Sequence, residues 1–453
     1  MGAAVVGVEP LIFNLHRLGS LHGRPIPRVW LVTGGGWAGR GIQILAQLVS
    51  VRILTQGLGT SGYGAFAVLA GLQGWFLLAD LGIGISIQNY LSESRARDVP
   101  VDDILFTGAI LSLGAVAVAA TILYATGPLI GDFLLGDLLV LTQGERTAAF
   151  YAVAFPGVGT ALGGVIYKIW FAQHRGYLSQ LVPAAGAILG TLAVWSAGRA
   201  LDLRVAPALL LYYMPLAILP IVALALTVTR RTTRERFRRD LVKPILTRGI
   251  RFWIFGVLQA GVLQVDYIII ARVLNGRDVV LYSLASRLFS LILFLYSALL
   301  MALWPVFVEA ITKGERTSVF AMVRRYLAVG FAISLAGGTF VALFRNQLVG
   351  LLAPSLGVTI PITIIMLMTV GLMVRTWTDM FAMTLQCMND LHILWIVVPI
   401  QSVLSIVLQT WGANLFGLPG MIVGLIACFM LTVSWALPLR FFILTRRRAP
   451  TTG

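Results

Sequence analysis

The chain has 453 residues, of which 58% are hydrophobic and only 11% charged, and its mean hydropathy is +0.90. That balance excludes an ordinary soluble enzyme and marks an all-α protein that crosses a membrane many times. The net charge of +16 resides mostly in short gaps between apolar runs, a pattern of membrane topology and not of a nucleic-acid partner.

Residues 1–28 hold Pro10, Pro25 and Pro27 and no run long enough for a cleavable signal peptide. They are expected to form a cytoplasmic arm, with LIFNLHRL as a short interfacial turn. Apolar runs of roughly 17 to 25 residues, the length that crosses about 30 Å of hydrocarbon, then recur twelve times. They centre near residues 41, 75, 115, 158, 190, 218, 262, 292, 335, 373, 405 and 428. An even number puts both termini on one side. With the N-terminus inside, only Arg52, Arg146, Arg199, Arg204, Arg272, Arg277 and Arg345 among the 34 basic residues fall outside, so both termini are placed in the cytoplasm. The basic stretch RRTTRERFRRDLVKPILTRG (230–249) is read as a topology-setting inter-lobe loop near anionic lipid. It separates an N-lobe of six helices (29–229) from a C-lobe of six (250–441), and a basic cytoplasmic tail follows (442–453).

The two halves repeat one plan. VRILTQGLGTSGYGAF after the first span matches ARVLNGRDVVLYSLA after the seventh, pairing Arg52 with Arg272 and Tyr63 with Tyr282. Pro183 and Pro399 occupy like positions after the fourth and tenth spans. Six spans followed by six in the same orientation predict two lobes related by a pseudo-two-fold axis along the membrane normal, with a cavity between them.

Six ionisable residues fall inside apolar spans: Arg40, Asp80, Asp266, Arg287, Arg375 and Asp379. Each costs about 2.5–3.5 kcal/mol at a helix centre, so they are expected to face a cavity or one another. On the first span Thr33, Gly36, Arg40, Gln43, Gln47 and Ser50 form one polar stripe at helical spacing. The eighth span carries Ser283, Arg287, Ser290 and Ser297 on one face, and Gln73 precedes Asp80 as Gln259 precedes Asp266, by seven residues. Arg40 and Arg287 have no carboxylate on their own face. Guanidinium groups bind two phosphate oxygens at once and stay charged when partly desolvated, so an anionic ligand is favoured. Arg375 and Asp379, one turn apart, are equally readable as a structural ion pair. The three carboxylates are candidates for charge pairing or for coupling protons, and Asp80 has the further reading of ordering Gly82 and Gly84 at a helix end.

GLGTSG (57–62) fits a dinucleotide-binding fingerprint by pattern, but it joins two membrane helices and is read as a tight turn. The chain has no Walker loop, His16, His22, His174 and His392 make no metal spacing, and Cys387 and Cys428 make no disulfide or metal pattern. No cofactor or metal is expected.

RILTQGLGTSGYGAF, then LADLGIG from Leu78 to Gly84, then DYIIIARVLNGRDVVLYSLASRL from Asp266 to Leu288, together resemble the Wzx-type polysaccharide flippases. Those flippases belong to the multidrug/oligosaccharidyl-lipid/polysaccharide exporter superfamily. The resemblance implies a V of two six-helix lobes working by alternating access in a bacterial inner membrane. Its implied cargo is an undecaprenyl-pyrophosphate-linked oligosaccharide, moved to the periplasmic leaflet for O-antigen, capsule or exopolysaccharide. Arg40, Arg287 and Arg375 would then meet the pyrophosphate, and Gln43, Gln47, Gln73 and Gln259 the sugar hydroxyls. Asp80, Asp266 and Asp379 would serve coupling by proton or sodium ion, or charge pairing. Membrane lipids, a polysaccharide polymerase and chain-length proteins are the implied partners. The competing readings are a cation-coupled exporter of drug-like molecules on the same fold and a membrane-embedded polymerase or ligase.

Overall fold

The computed structural model describes residues 28–96, 102–136, 141–173, 175–200, 202–231, 237–354, 357–388, 390 and 392–447. The N-terminal arm expected over 1–28 therefore lies outside the described residues, save Arg28. Lipid offers backbone groups no hydrogen bonds, and a helix satisfies them within one segment. All regular structure among the described residues is accordingly helical.

The elements are α1 (Arg28–Gly71), α2 (Gln73–Phe76), a 3₁₀ turn (Leu77–Asp80), α3 (Ile83–Ala96), α4 (Asp102–Leu135), α5 (Gln143–Ala172), α6 (Leu178–Ala200) and α7 (Val205–Arg231). The second half follows with α8 (Arg239–Leu263), α9 (Asp266–Val273), α10 (Gly276–Thr312), α11 (Arg316–Leu343), α12 (Arg345–Leu352), α13 (Ile362–Cys387), α14 (His392–Leu431) and α15 (Val433–Arg447). Local chemistry sets several starts. Thr142 and Glu145 cap α5 reciprocally, and the Asn275 side chain accepts the Asp278 amide at 3.0 Å to open α10, caps worth about 1 kcal/mol each.

Among the described residues nine helical stretches are long and apolar enough to cross a membrane, or ten when α8 and α9, bent by 45°, count as one. Two of the nine, Ala38–Asp80 and His392–Thr445, have 43 and 54 residues, whereas one crossing needs about 20. Each covers two of the twelve runs expected from the sequence, and each contains a non-helical glycine, Gly59 (φ 65°) or Gly417 (φ 63°). At Gly417 the chain doubles back. A Cβ on Gly412 would stand 2.2 Å from the Gly420 carbonyl oxygen, and one on Gly424 2.3 Å from that of Leu408, so the two limbs touch through backbone alone. Helices in lipid gain no hydrophobic free energy from meeting each other, and such close approach supplies the dispersion contact instead.

The apolar packing is arranged unequally along the helices. One large cluster joins both halves at one end, with Leu54, Tyr63, Phe66, Phe150 and Leu209 packed with Ile270, Val280, Leu284, Ile365 and Met421. Toward the other end it divides. Ile83, Ile87, Leu91, Ile166 and Ile169 form a first-half cluster, and Tyr296, Phe307, Val323, Phe381 and Phe441 a second-half one.

Two expectations change. Residues 239–249 lie in helix α8 and not in a loop, because Leu241, Ile245 and Leu246 recur at helical spacing within the basic stretch and find an apolar partner. That partner is the first half: Ile245 is buried among its isoleucines, Arg248 pairs with Glu93 at 2.6 Å, and the Arg238 amide donates to Thr107 Oγ1 at 3.1 Å. Helix α15 likewise continues to Arg447, into the stretch expected as tail.

Candidate functional site

The polar stripe of α1 and the polar face of α10 meet where the halves join. Ser50 is buried, Gln43 and Gln47 are half-buried, and the exposed apolar residues Ile42, Leu45 and Val49 occupy another face of the helix. Arg287 Nη1 donates to the Gln47 carbonyl oxygen at 3.4 Å, and Ser50 Oγ donates to the same oxygen at 2.7 Å. One cation of the second half is thus held against the backbone of the first.

Tyrosines surround that cation. Tyr63, Tyr212, Tyr213 and Tyr267 all stand close enough to Arg287 to act on its charge. The Tyr63 hydroxyl lies 3.1 Å from Ser283 Oγ, which ties α1 to α10, and the Tyr267 hydroxyl lies 3.2 Å from Ser286 Oγ. Tyr282 donates its hydroxyl proton to Asp266, whose carboxylate also accepts the Tyr267 amide at 2.9 Å. Trp75 Nε1 completes the seam by donating to the Gln264 carbonyl oxygen, at the α8–α9 bend, at 3.2 Å. A half-buried guanidinium among hydroxyl groups has the donors an anion needs, and among the described residues no carboxylate forms an ion pair with it.

The structure distributes the sequence-derived candidates over several places. Arg287, Gln47 and Asp266 belong to the seam just described. Arg375 lies on α13 with its Nε 3.5 Å from Asp379, long for a hydrogen bond, and that nitrogen has no other partner. Arg375 also borders a cavity that Tyr282, Ser286 and Ser290 line. Gln73 is half-buried, and its Nε2 has no hydrogen-bond partner. Arg40 and Gln259 are exposed.

Asp80 sits at the start of a helix. Its two oxygens accept the amides of Gly82 at 2.9 Å and Gly84 at 3.1 Å, and so open helix α3 after a turn in which Leu81 and Gly82 take left-handed backbone (φ 52° and 70°). Gly82 also packs against α8, since a Cβ there would fall 2.3 Å from the Gly249 carbonyl oxygen. The two orphan helix amides anchor Asp80 at the start of α3; among the described residues it forms no ion pair with an arginine, and Lys168 is the cation whose charge reaches it.

The tyrosines were missed as site residues. Tyr63 and Tyr282 had a signal, their matched positions in the repeat; Tyr212, Tyr213 and Tyr267 had none, because convergence of three helices on one cation has no sequence period. Among the described residues no group of three His, Cys, Asp or Glu side chains could hold a metal ion.

Residues 37–311 match the family model described as polysaccharide biosynthesis protein. A candidate O-antigen export protein of Yersinia pseudotuberculosis is 36% identical over 420 residues, covering 92% of this chain and 96% of its own. The fold is that of a multidrug resistance MATE transporter of the MOP superfamily. Its inward-facing structure aligns with TM-score 0.73 at 15% identity over 90% of this chain and 96% of its own. The outward-facing structure aligns with TM-score 0.62 at 18% identity over 93% and 95%. The chain therefore belongs to the polysaccharide biosynthesis protein family, as a membrane transporter of the Wzx type.

Proposed function

We propose that this protein carries undecaprenyl-pyrophosphate-linked oligosaccharide from the cytoplasmic to the periplasmic leaflet of a bacterial inner membrane, by alternating access. The observation that carries the reading is Arg287, a cation lodged at the seam between the halves with hydroxyl groups around it and no carboxylate partner on its face. A diphosphate suits its donors, and the adjoining amides and hydroxyls suit sugars. The Yersinia relative, described as an O-antigen exporter, supports a glycan cargo.

Dividing the two long stretches at Gly59 and Gly417, and joining α8 with α9, gives twelve spans arranged as two lobes of six. The basic-residue count then puts both termini in the cytoplasm. One fused core at the outer end and two separate cores at the inner end describe a V open to the cytoplasm, and the better alignment with an inward-facing transporter supports that state. Arg40, with its side chain exposed on a face away from Ile42, Leu45 and Val49, would receive the diphosphate first and Arg287 would take it deeper. Gln43, Gln73 and Gln259 would meet sugar hydroxyls along that path. Asp266, which accepts the Tyr282 hydroxyl, would be the carboxylate that responds to the occupied cation, and Asp80 would serve as a helix cap. Binding would shift the balance between the two open states, and no bond is made or broken. A polymerase and chain-length proteins would take up the delivered glycan, and a proton or sodium ion would be the coupling species.

The test is complementation of a deletion strain. Wild-type protein restores surface polysaccharide, and Arg287→Ala leaves lipid-linked repeat units on the cytoplasmic leaflet. Normal restoration by Arg287→Ala would remove the anion site from the proposal. Drug efflux by the same protein, indifferent to Arg287, would favour the competing exporter reading that the MATE fold alone allows.

A further inference from the structure

Two short arms cross the seam in opposite directions, at the end of the molecule where the halves share one core. In the first half α4 projects to Leu135 and packs on α9 of the second half. There Arg272 donates from Nη1 to the Phe133 carbonyl at 3.1 Å and holds its guanidinium 4.5 Å over the Phe133 ring. In the second half α11 is followed by α12, which packs on α1 of the first half. Val349, Leu352 and Ala353, none more than 4% exposed, carry that arm into the shared core, whereas Leu351 faces outward at 59%.

Each arm is also tied back to the half it comes from. Asp132, at the end of α4, accepts Gln143 Nε2 at 2.8 Å and stands 3.6 Å from Arg146, both at the start of α5. Farther back on α4 the Tyr124 carbonyl accepts the Tyr151 hydroxyl of α5 at 2.7 Å. Helix α11 passes into α12 through Phe344 alone, whose ring lies 4.9 Å from that of Phe340, so the direction of α12 is set by α11. An arm built into one half and resting on the other separates at its resting face when the halves rotate apart.

We propose that α12 and the outer end of α4 are reciprocal straps that close the periplasmic mouth and release together when the outward-open state forms; the inference rests on the alternating-access reading given above. Because each strap is carried by its own half, one rotation withdraws both. Their grips differ in chemistry. Water can replace the carbonyl that Arg272 holds, so the α4 strap lets go at small cost. The α12 strap is apolar, and returning Val349 and Leu352 to the core drives the mouth shut again.

Labelling of the full-length chain in spheroplasts by a membrane-impermeant maleimide tests it, with the parent protein as the blank for Cys387 and Cys428. Leu351→Cys is expected to react fast and Val349→Cys about tenfold or more slowly, since a buried thiol reacts only during opening. Arg272→Ala loosens the other strap and should raise the Val349→Cys rate severalfold. Phe133→Ala, at a half-exposed site, should raise it less, because the carbonyl stays. Val349→Cys reacting as fast as Leu351→Cys, or at a rate that neither substitution changes, would overturn the coupled straps. Complementation separates this failure from that of the cargo reading. Surface polysaccharide restored beside such labelling sinks the straps alone, and the expected labelling in a chain that restores none sinks the cargo alone.

Discussion

Aligned on Tyr63 and Tyr282, the residues Gly64, Ala67, Val68 and Gly71 of the first half stand where the second half has Ser283, Ser286, Arg287 and Ser290. The first set is packing surface: Val68 is fully buried, and a Cβ on Gly71 would lie 2.4 Å from the Tyr267 ring. The second set is polar, half-buried in part, and gathers hydroxyls around a cation. The carboxylates, which stand on non-equivalent spans of the two halves, differ in partner as well. Asp80 gives its oxygens to its own backbone, whereas Asp266 accepts the hydroxyl of a tyrosine on another helix. Stretches alike in sequence pattern thus differ in surroundings, one packed closely and the other lined with polar groups. Equivalence of position is no guide to equivalence of role.

The largest effect should come from Arg287→Ala, which leaves the Gln47 carbonyl and the tyrosine hydroxyls facing an emptied site. A hydrogen bond to a charged group is worth about 1.5–3 kcal/mol, so loss of those Arg287 would make to a diphosphate should lower transport in proteoliposomes roughly tenfold or more. The mirror substitution, Val68→Arg, should act on folding instead. An unpaired arginine in that packed face costs about 2.5–3.5 kcal/mol, read as loss of monodisperse protein in size-exclusion chromatography. A folded, active Val68→Arg protein would show that the two faces are interchangeable after all.

Gly82→Ala comes next, at about 1–3 kcal/mol, because φ is 70° and the added carbon meets the Gly249 carbonyl backbone, which has no rotamer by which to move. Its measure is the thermal midpoint of the purified protein. Smallest is the pair Asp80→Ala and Asp80→Asn. The first should lower stability by about 1 kcal/mol as a lost cap; the second, which keeps an acceptor, should transport nearly normally. Loss of transport in a stable Asp80→Asn protein would return that carboxylate to a coupling role and erase the contrast with Asp266.

Much of this was legible in the residues. Apolar run length located the helices, and offsets of three and four on the first and eighth spans located the two polar faces that meet at Gln47 and Arg287. What was hidden depends on backbone or on convergence. The Asp80 cap exists only because Leu81 and Gly82 adopt positive φ, which no spacing rule reveals. Residues 239–249 looked like a loop because charge dominated the reading; their apolar stripe needed a partner surface, contributed by Ile83, Ile87 and Ile166 from the other half, before it meant helix. Gln73 and Gln259 matched in spacing, yet one is half-buried and the other exposed, since burial is set by neighbours and not by register.

That placement of Ile245 bears on how the protein is made. A chain emerging from the ribosome delivers α1–α7 before α8, but the cluster built around Ile83, Ile87 and Ile166 includes Ile245, and Arg248 pairs with Glu93 beside it. Until that stretch has been synthesised and inserted, the first half is short of one wall. The unit that completes itself in the membrane therefore extends past α7, and a break in the chain just before α8 would separate a core from its own last piece.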